Sequence, residues 1–255
     1  MRVQTIHGSR ITPAETPATS ACRHESYRSM KPIRFFIDRK EIECDEGETL
    51  LWAALDNGIY IPNLCAMREM VEPYGACRLC FVEVQGEDRP VTACTTRVRE
   101  GLVAHTKGTK AFRLARTAFE LILSSHPVDC AHCLKSGSCE LQKIAKYFGV
   151  KLNSKRFRKF LRDLPIDETS PVFTYDPNKC VLCGRCVWLC QEKLDTRAIG
   201  FAYRGFQRWV TTFDDEPVGL SECRDRIELA EICPVGAFVA KNKRNRQNRI
   251  NETGG

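Results

Sequence analysis

The 255-residue sequence predicts an α+β chain built from three small modules rather than one large domain. Two observations lead there. Short strand-like segments alternate with a few stretches of helical periodicity, and the 15 cysteines fall largely into three separate, closely spaced runs that would each organise a small fold. No apolar run approaches membrane-spanning length and no hydrophobic leader opens the chain, so the expectation is a cytoplasmic protein without membrane insertion. In that reducing setting, such cysteine spacings mean metal binding more often than disulfides. The formal charge of +7 does not point to nucleic acid, because residues 1–30 contribute +2 and residues 241–255 contribute +4, leaving +1 for everything between.

Residues 1–30 show no periodicity and read as a disordered leader: either a mis-called start, with Met30 the natural one, or an organellar transit peptide. Residues 33–37 read as a strand, 38–40 as a tight turn and 41–44 as the returning strand, with Cys44 facing the core as a small hydrophobe. A helix follows, opened near Glu48 or Thr49, carried by Leu50, Leu51, Ala54 and Leu55, and ended at Asn57-Gly58.

Next come Cys65, Cys77, Cys80 and Cys94, a C-x11-C-x2-C-x13-C layout. Four thiolates so placed can enclose two iron ions and their bridging sulfides, and Gly75 and Ala76 would let backbone N–H groups approach the sulfurs. A structural zinc ion also accepts four cysteines. Strands are expected at 81–84, 90–93 and 102–105, with His105 on the surface. The order strand, strand, helix, cysteine loop, strand, strand resembles the plant-type two-iron ferredoxin, which implies a β-grasp domain over 31–108 holding one 2Fe-2S cluster.

Residues 109–124 form a helix with Phe112, Ala115, Phe119, Ile122 and Leu123 on its apolar stripe. It leads into His126, Cys130, Cys133 and Cys139, an H-x3-C-x2-C-x5-C set suited to zinc or a four-iron cluster, followed by a short helix over 140–148. The run His-Pro-Val-Asp-Cys-Ala-His-Cys, then Lys-Ser-Gly-Ser-Cys-Glu-Leu-Gln, resembles the histidine-ligated cluster module of the complex I large iron-sulfur subunit. The same module occurs in [FeFe] hydrogenases, NAD-linked formate dehydrogenases and the diaphorase subunit of NAD-reducing [NiFe] hydrogenases. The resemblance implies a small helical domain over 109–165 with His126, Cys130, Cys133 and Cys139 as 4Fe-4S ligands; His132 matches no ligand position. The Lys- and Arg-dense stretch 151–162 reads as a solvated face or partner contact.

Cys180, Cys183, Cys186 and Cys190 reproduce the C-x2-C-x2-C-x3-C run of bacterial ferredoxins, whose fourth cysteine serves the other cluster of a pair. Counting back from Cys233-Pro234 at the same spacing gives Leu229, Arg226 and Cys223, so two ligands of that second site are missing. The reading is one 4Fe-4S cluster on Cys180, Cys183, Cys186 and Cys233, with Cys190 and Cys223 left as an inert buried pair. Two short strands around Arg204-Gly205 and a helix over 222–231, with Arg226 outward, complete a ferredoxin-like α+β domain over 166–240. Residues 241–255 read as a basic disordered tail.

The whole is similar to the iron-sulfur diaphorase subunit of NAD-reducing [NiFe] hydrogenase. That implies an electron-transfer subunit with one 2Fe-2S and two 4Fe-4S clusters, the Cys180 site being the last station in chain order. Implied partners are a flavin- and NADH-binding iron-sulfur subunit and hydrogenase, or formate dehydrogenase, catalytic subunits. The chain lacks a Gly-rich dinucleotide motif and is expected not to be catalytic alone. The alternatives are an electron-transfer subunit of an NAD-linked formate dehydrogenase, a short complex I relative, and a structural zinc-binding interaction protein.

Overall fold

A computed structural model describes residues 32–241. The expected leader, and the tail beyond Lys241, lie outside the described residues. β1 (Pro32–Ile37) and β2 (Lys40–Asp45) form an antiparallel hairpin. Its two-residue turn, Asp38-Arg39, has positive φ at both positions, so the turn twists with its strands. Asp38 fixes the turn from outside: its carboxylate accepts from the backbone N–H of Thr106 at 2.8 Å.

Thr49 is the N-cap of α1 (Leu50–Asp56), its hydroxyl accepting from the Trp52 N–H, and Gly58 (φ +74) turns the chain away after it. β3 (Phe81–Val84), β4 (Val91–Thr92) and β5 (Val103–His105) complete a five-stranded sheet in the order β2-β1-β5-β3-β4, with β1 and β5 parallel. Ile33, Phe35, Ile37 and Ile42 from the sheet pack with Leu50, Leu51 and Ala54 from the helix. Each such large side chain contributes about 1.5–3 kcal/mol on burial. Cys44 lies on the same side as Ile42 but is only half-buried.

α2 (Thr109–Ser124) buries Ala111, Ala115, Phe119 and Leu123, one residue per turn. Gly108 precedes it and offers no side chain to cap it. Glu83 of β3 does so instead, accepting from the N–H groups of Lys110 (2.8 Å) and Ala111 (3.1 Å). A Cβ on Gly108 would collide with that carboxylate, at 2.2 Å from its carbon. α3 (Glu140–Phe148) returns against α2 through Phe148, whose ring meets Phe112 and Phe119, and ends at left-handed Gly149.

In the stretch 151–162, Lys151, Lys155, Arg156 and Arg158 are exposed, but the segment also makes specific contacts. Arg156 pairs with buried Glu120, Lys159 donates to the Leu123 carbonyl at 2.8 Å, and Arg162 donates to the Cys180 carbonyl. The segment ties α2 to the last module.

That module rests on a strand pair separated by more than sixty residues, β6 (Phe173–Tyr175) with β9 (Phe238–Ala240). Tyr175 stacks on Phe238 with centroids 4.2 Å apart and donates its hydroxyl to the Val210 carbonyl at 2.7 Å. Between them lie α4 (Arg185–Trp188), the antiparallel hairpin of β7 (Gly200–Ala202) and β8 (Trp209–Thr211), and α5 (Glu228–Ile232). The helix expected over 222–231 is thus much shorter. Ser170 Oγ holds the Arg224 carbonyl at 2.6 Å and Ser221 Oγ accepts from the Cys223 N–H at 3.2 Å, taking groups that a helix would have used.

Candidate metal centres

In the first site, Cys65 is fully buried in an irregular loop, Cys77 lies between the positive-φ residues Gly75 (φ +57) and Arg78 (φ +56) with Cys80 just after them, and Cys94 lies in the turn that follows β4. The Cys77 N–H reaches the Cys65 sulfur at 3.5 Å. Cys77 is pulled down to about 6 by the Cys65 thiol and by the N–H groups of Leu79 and Leu64, while Cys65 and Cys80 are pushed up by their partners Cys77 and Cys94. The loop thus gathers four sulfurs and aims backbone donors at three of them, Cys65, Cys77 and Cys80, the arrangement that favours thiolate.

His126, Cys130, Cys133 and Cys139 line one cavity between α2 and α3, together with Lys179 and Gly236. The His126 Nδ1 lies 3.1 Å from the Lys179 carbonyl. A carbonyl only accepts, so Nδ1 carries the proton and the Nε2 lone pair is left for a metal. Burial drives the His126 pKa down to about 4, so the ring is neutral at neutral pH. Cys139 stands at the N-cap of α3; burial pushes its thiol up, and the N–H groups of Leu141 and Gln142 offset part of that shift. His132 is outside the cavity, exposed and paired with Asp129 at 2.9 Å.

Cys180, Cys183, Cys186 and Cys233 line a second cavity. Asp176 caps the turn before Cys180, and Leu182 (φ +55) and Gly184 (φ +80) curl the loop so that its cysteines face inward. Backbone N–H groups reach two of the sulfurs, Leu182 to Cys180 at 3.4 Å and Phe238 to Cys233 at 3.5 Å. Burial pushes Cys180 up to about 11 and Cys183 to about 12, with the neighbouring thiols adding to it. Thiols raised in this way become thiolates together only against cationic charge, such as that of a metal. Among the described residues no three His, Cys, Asp or Glu side chains close on a single-ion site.

Cys190 does not line that cavity. Its sulfur is 3.5 Å from Cys223, with Thr196 Oγ1 3.0 Å from one and 3.3 Å from the other, and both cysteines are fully buried. Arg226 is exposed, and Leu229 fills the core.

The ligand loops touch in an order that differs from chain order. Arg185 of the Cys180 site donates to the Ala66 carbonyl at 3.0 Å, beside Cys65, and a Cβ on Gly184 would meet the Tyr74 ring at 2.8 Å. On the other side, a Cβ on Gly236 would meet the Cys133 sulfur at 2.8 Å, and Pro234 accepts from the Glu140 N–H at 3.0 Å. The Cys180 loop therefore touches both of the others, although its cysteines come last in the chain.

Three family models match in succession: a 2Fe-2S iron-sulfur cluster binding domain over 30–109, the NADH-ubiquinone oxidoreductase-G iron-sulfur binding region over 116–153, and the ferredoxin-like domain of NADH-quinone oxidoreductase subunit 3 over 170–239. A chain of the NAD+-reducing [NiFe]-hydrogenase, solved in the H2-reduced state, superposes with a TM-score of 0.72 at 34% identity, covering 82% of this chain and 87% of that one. The chain belongs to this family of iron-sulfur electron-transfer subunits. It carries one 2Fe-2S domain and two 4Fe-4S domains.

Longer relatives share the same region. The NADPH-Fe(3+) oxidoreductase subunit alpha of Geobacter sulfurreducens is 36% identical over 82% of this chain and 24% of its own length. An NADH-quinone oxidoreductase subunit of Rhizobium meliloti is 33% identical over 82% and 24%. The NADP-reducing hydrogenase subunit HndD of Solidesulfovibrio fructosivorans is 31% identical over 82% and 36%. The chain thus spans about a quarter of the length of the first two. Among the described residues no helix is long and apolar enough to cross a membrane.

Two residues at these sites escaped the sequence reading, Arg162 and Arg185. Arg185 left one signal, a basic residue inside the Cys183–Cys186 step with no acid beside it. Arg162 left none, since its partner is eighteen positions away in a segment without periodicity.

Proposed function

We propose that the chain relays electrons between a flavin- and NAD(H)-binding iron-sulfur subunit and the catalytic subunits of a cytoplasmic hydrogenase. Cys65, Cys77, Cys80 and Cys94 hold the two-iron cluster; His126, Cys130, Cys133 and Cys139 hold one four-iron cluster; Cys180, Cys183, Cys186 and Cys233 hold the other. When bound, the clusters take up and release single electrons. The chain's own residues hold them at fixed separations, keep water from the sulfurs and set the local charge. The observation that carries this reading is the contact of the middle ligand loop with both others, through Arg185 and Ala66 on one side and Gly236 and Cys133 on the other.

Anaerobic isolation of the native complex tests it. The expected result is a brown protein with about ten irons per chain, co-purifying with a flavin protein and a nickel-iron subunit. A molybdenum partner would move the assignment to formate dehydrogenase, and membrane subunits to a complex I relative. A colourless protein with stoichiometric zinc would refute the relay.

A further inference from the structure

Buried polar side-chain atoms without a partner are rare here: four are found among the described residues, and two of them are guanidinium nitrogens, Arg162 Nε and Arg185 Nε. Both arginines belong to one site. Arg162 donates to the carbonyl of Cys180 and, at 3.3 Å, to that of Arg208. Arg185 lines the cavity of Cys180, Cys183, Cys186 and Cys233, sits between two of those cysteines in the chain, and donates to Ala66 O at 3.0 Å and Asn63 Oδ1 at 3.4 Å. All these acceptors are uncharged, and among the described residues neither arginine forms an ion pair.

An uncompensated, part-buried guanidinium is costly, and two at one site need a counter-charge. The charge that meets this need is the thiolate-ligated cluster itself, which is net negative and becomes more so on reduction. The other four-iron site differs: Lys179, which lines it, is already paired with Asp176 at 3.1 Å. Near the two-iron loop, Arg78 is exposed.

We infer that Arg162 and Arg185 are potential-setting residues, a pair of unpaired cations that stabilises the reduced form of the middle four-iron cluster. Positive charge near a cluster favours the state with the extra electron, because net charge and local environment set its potential. Arg185 also ties this cluster's loop to the two-iron loop, so it acts where the two meet. This inference rests on the ligand assignment proposed above.

The experiment is a redox titration of the whole complex followed by electron paramagnetic resonance, with C233S identifying the signal of the middle cluster. In R162Q and R185Q that signal should shift to more negative potential, each by about a tenfold fall in the reduced-to-oxidised ratio at fixed poise, or about 59 mV for one electron. R162K and R185K should stay within about threefold of the parent, and the histidine-ligated cluster should hold its midpoint in all four. Retained signals with unmoved midpoints in both Gln variants would overturn the inference. Should a Gln variant fail to hold the cluster, its Lys counterpart decides: about a tenfold fall there, despite the kept charge, also overturns it. If no signal of the parent complex is lost in C233S, the ligand assignment fails instead.

Discussion

The last module contains two groups of cysteines with opposite surroundings, and they lie within one fold. At the Cys180, Cys183, Cys186 and Cys233 site, positive-φ residues hold the loop open around a cavity, backbone N–H groups point at sulfur, and two arginines bring charge. At the Cys190 and Cys223 site the space is gone: the sulfurs are 3.5 Å apart, Thr196 bridges them, and Leu229 occupies the core where a ligand would stand. A cluster site is more than its cysteines. It is a cavity that the surrounding chain keeps open, and without two of its ligands this one is closed as an ordinary packed core.

The comparison can be broken most directly at the cysteines. C233S should lose one four-iron centre, read as about four fewer irons per chain, whereas C190S should leave iron content unchanged. The reverse result would mean that the two cysteines have been assigned to each other's sites. A smaller effect is expected from Leu229→Ala, which would reopen the closed site: a loss of about 2–4 kcal/mol in denaturant unfolding, with iron content retained. Neutral behaviour would show that Leu229 is not what fills the space. The smallest is Thr196→Val, which removes a hydroxyl 3.0 Å and 3.3 Å from the two thiols and should cost about 1 kcal/mol by the same measurement.

What the sequence displays is what is local. Cysteine spacing marks the ligand groups because loops that wrap a metal need ligands at short intervals, and α2 and α3 declare themselves through stripes that the structure buries at Ala115, Phe119 and Leu123, and at Leu141, Ile144 and Phe148. What it hides is what depends on distant partners. The pairing of Phe173–Tyr175 with Phe238–Ala240 has three residues a side and no alternation long enough to read. The helix over 222–231 has the right apolar spacing, but Ser170, fifty-four residues away, takes the carbonyl of Arg224. The basic run 151–162 looks solvated until Glu120, Leu123 and Cys180 are found beneath it. Chain order likewise gives no hint that the third cysteine group touches both of the others.

That placement bears on biogenesis. A chain made from its N-terminus presents the two-iron ligands first and the histidine set second, but the site whose loop touches both is completed only when Cys233 emerges, with 46 residues intervening after Cys186. The same closing segment brings Gly236 against Cys133 and Pro234 against the start of α3. One segment, 233–238, therefore walls both proposed four-iron pockets, and a ribosome stalled before residue 233 would leave both without that shared wall.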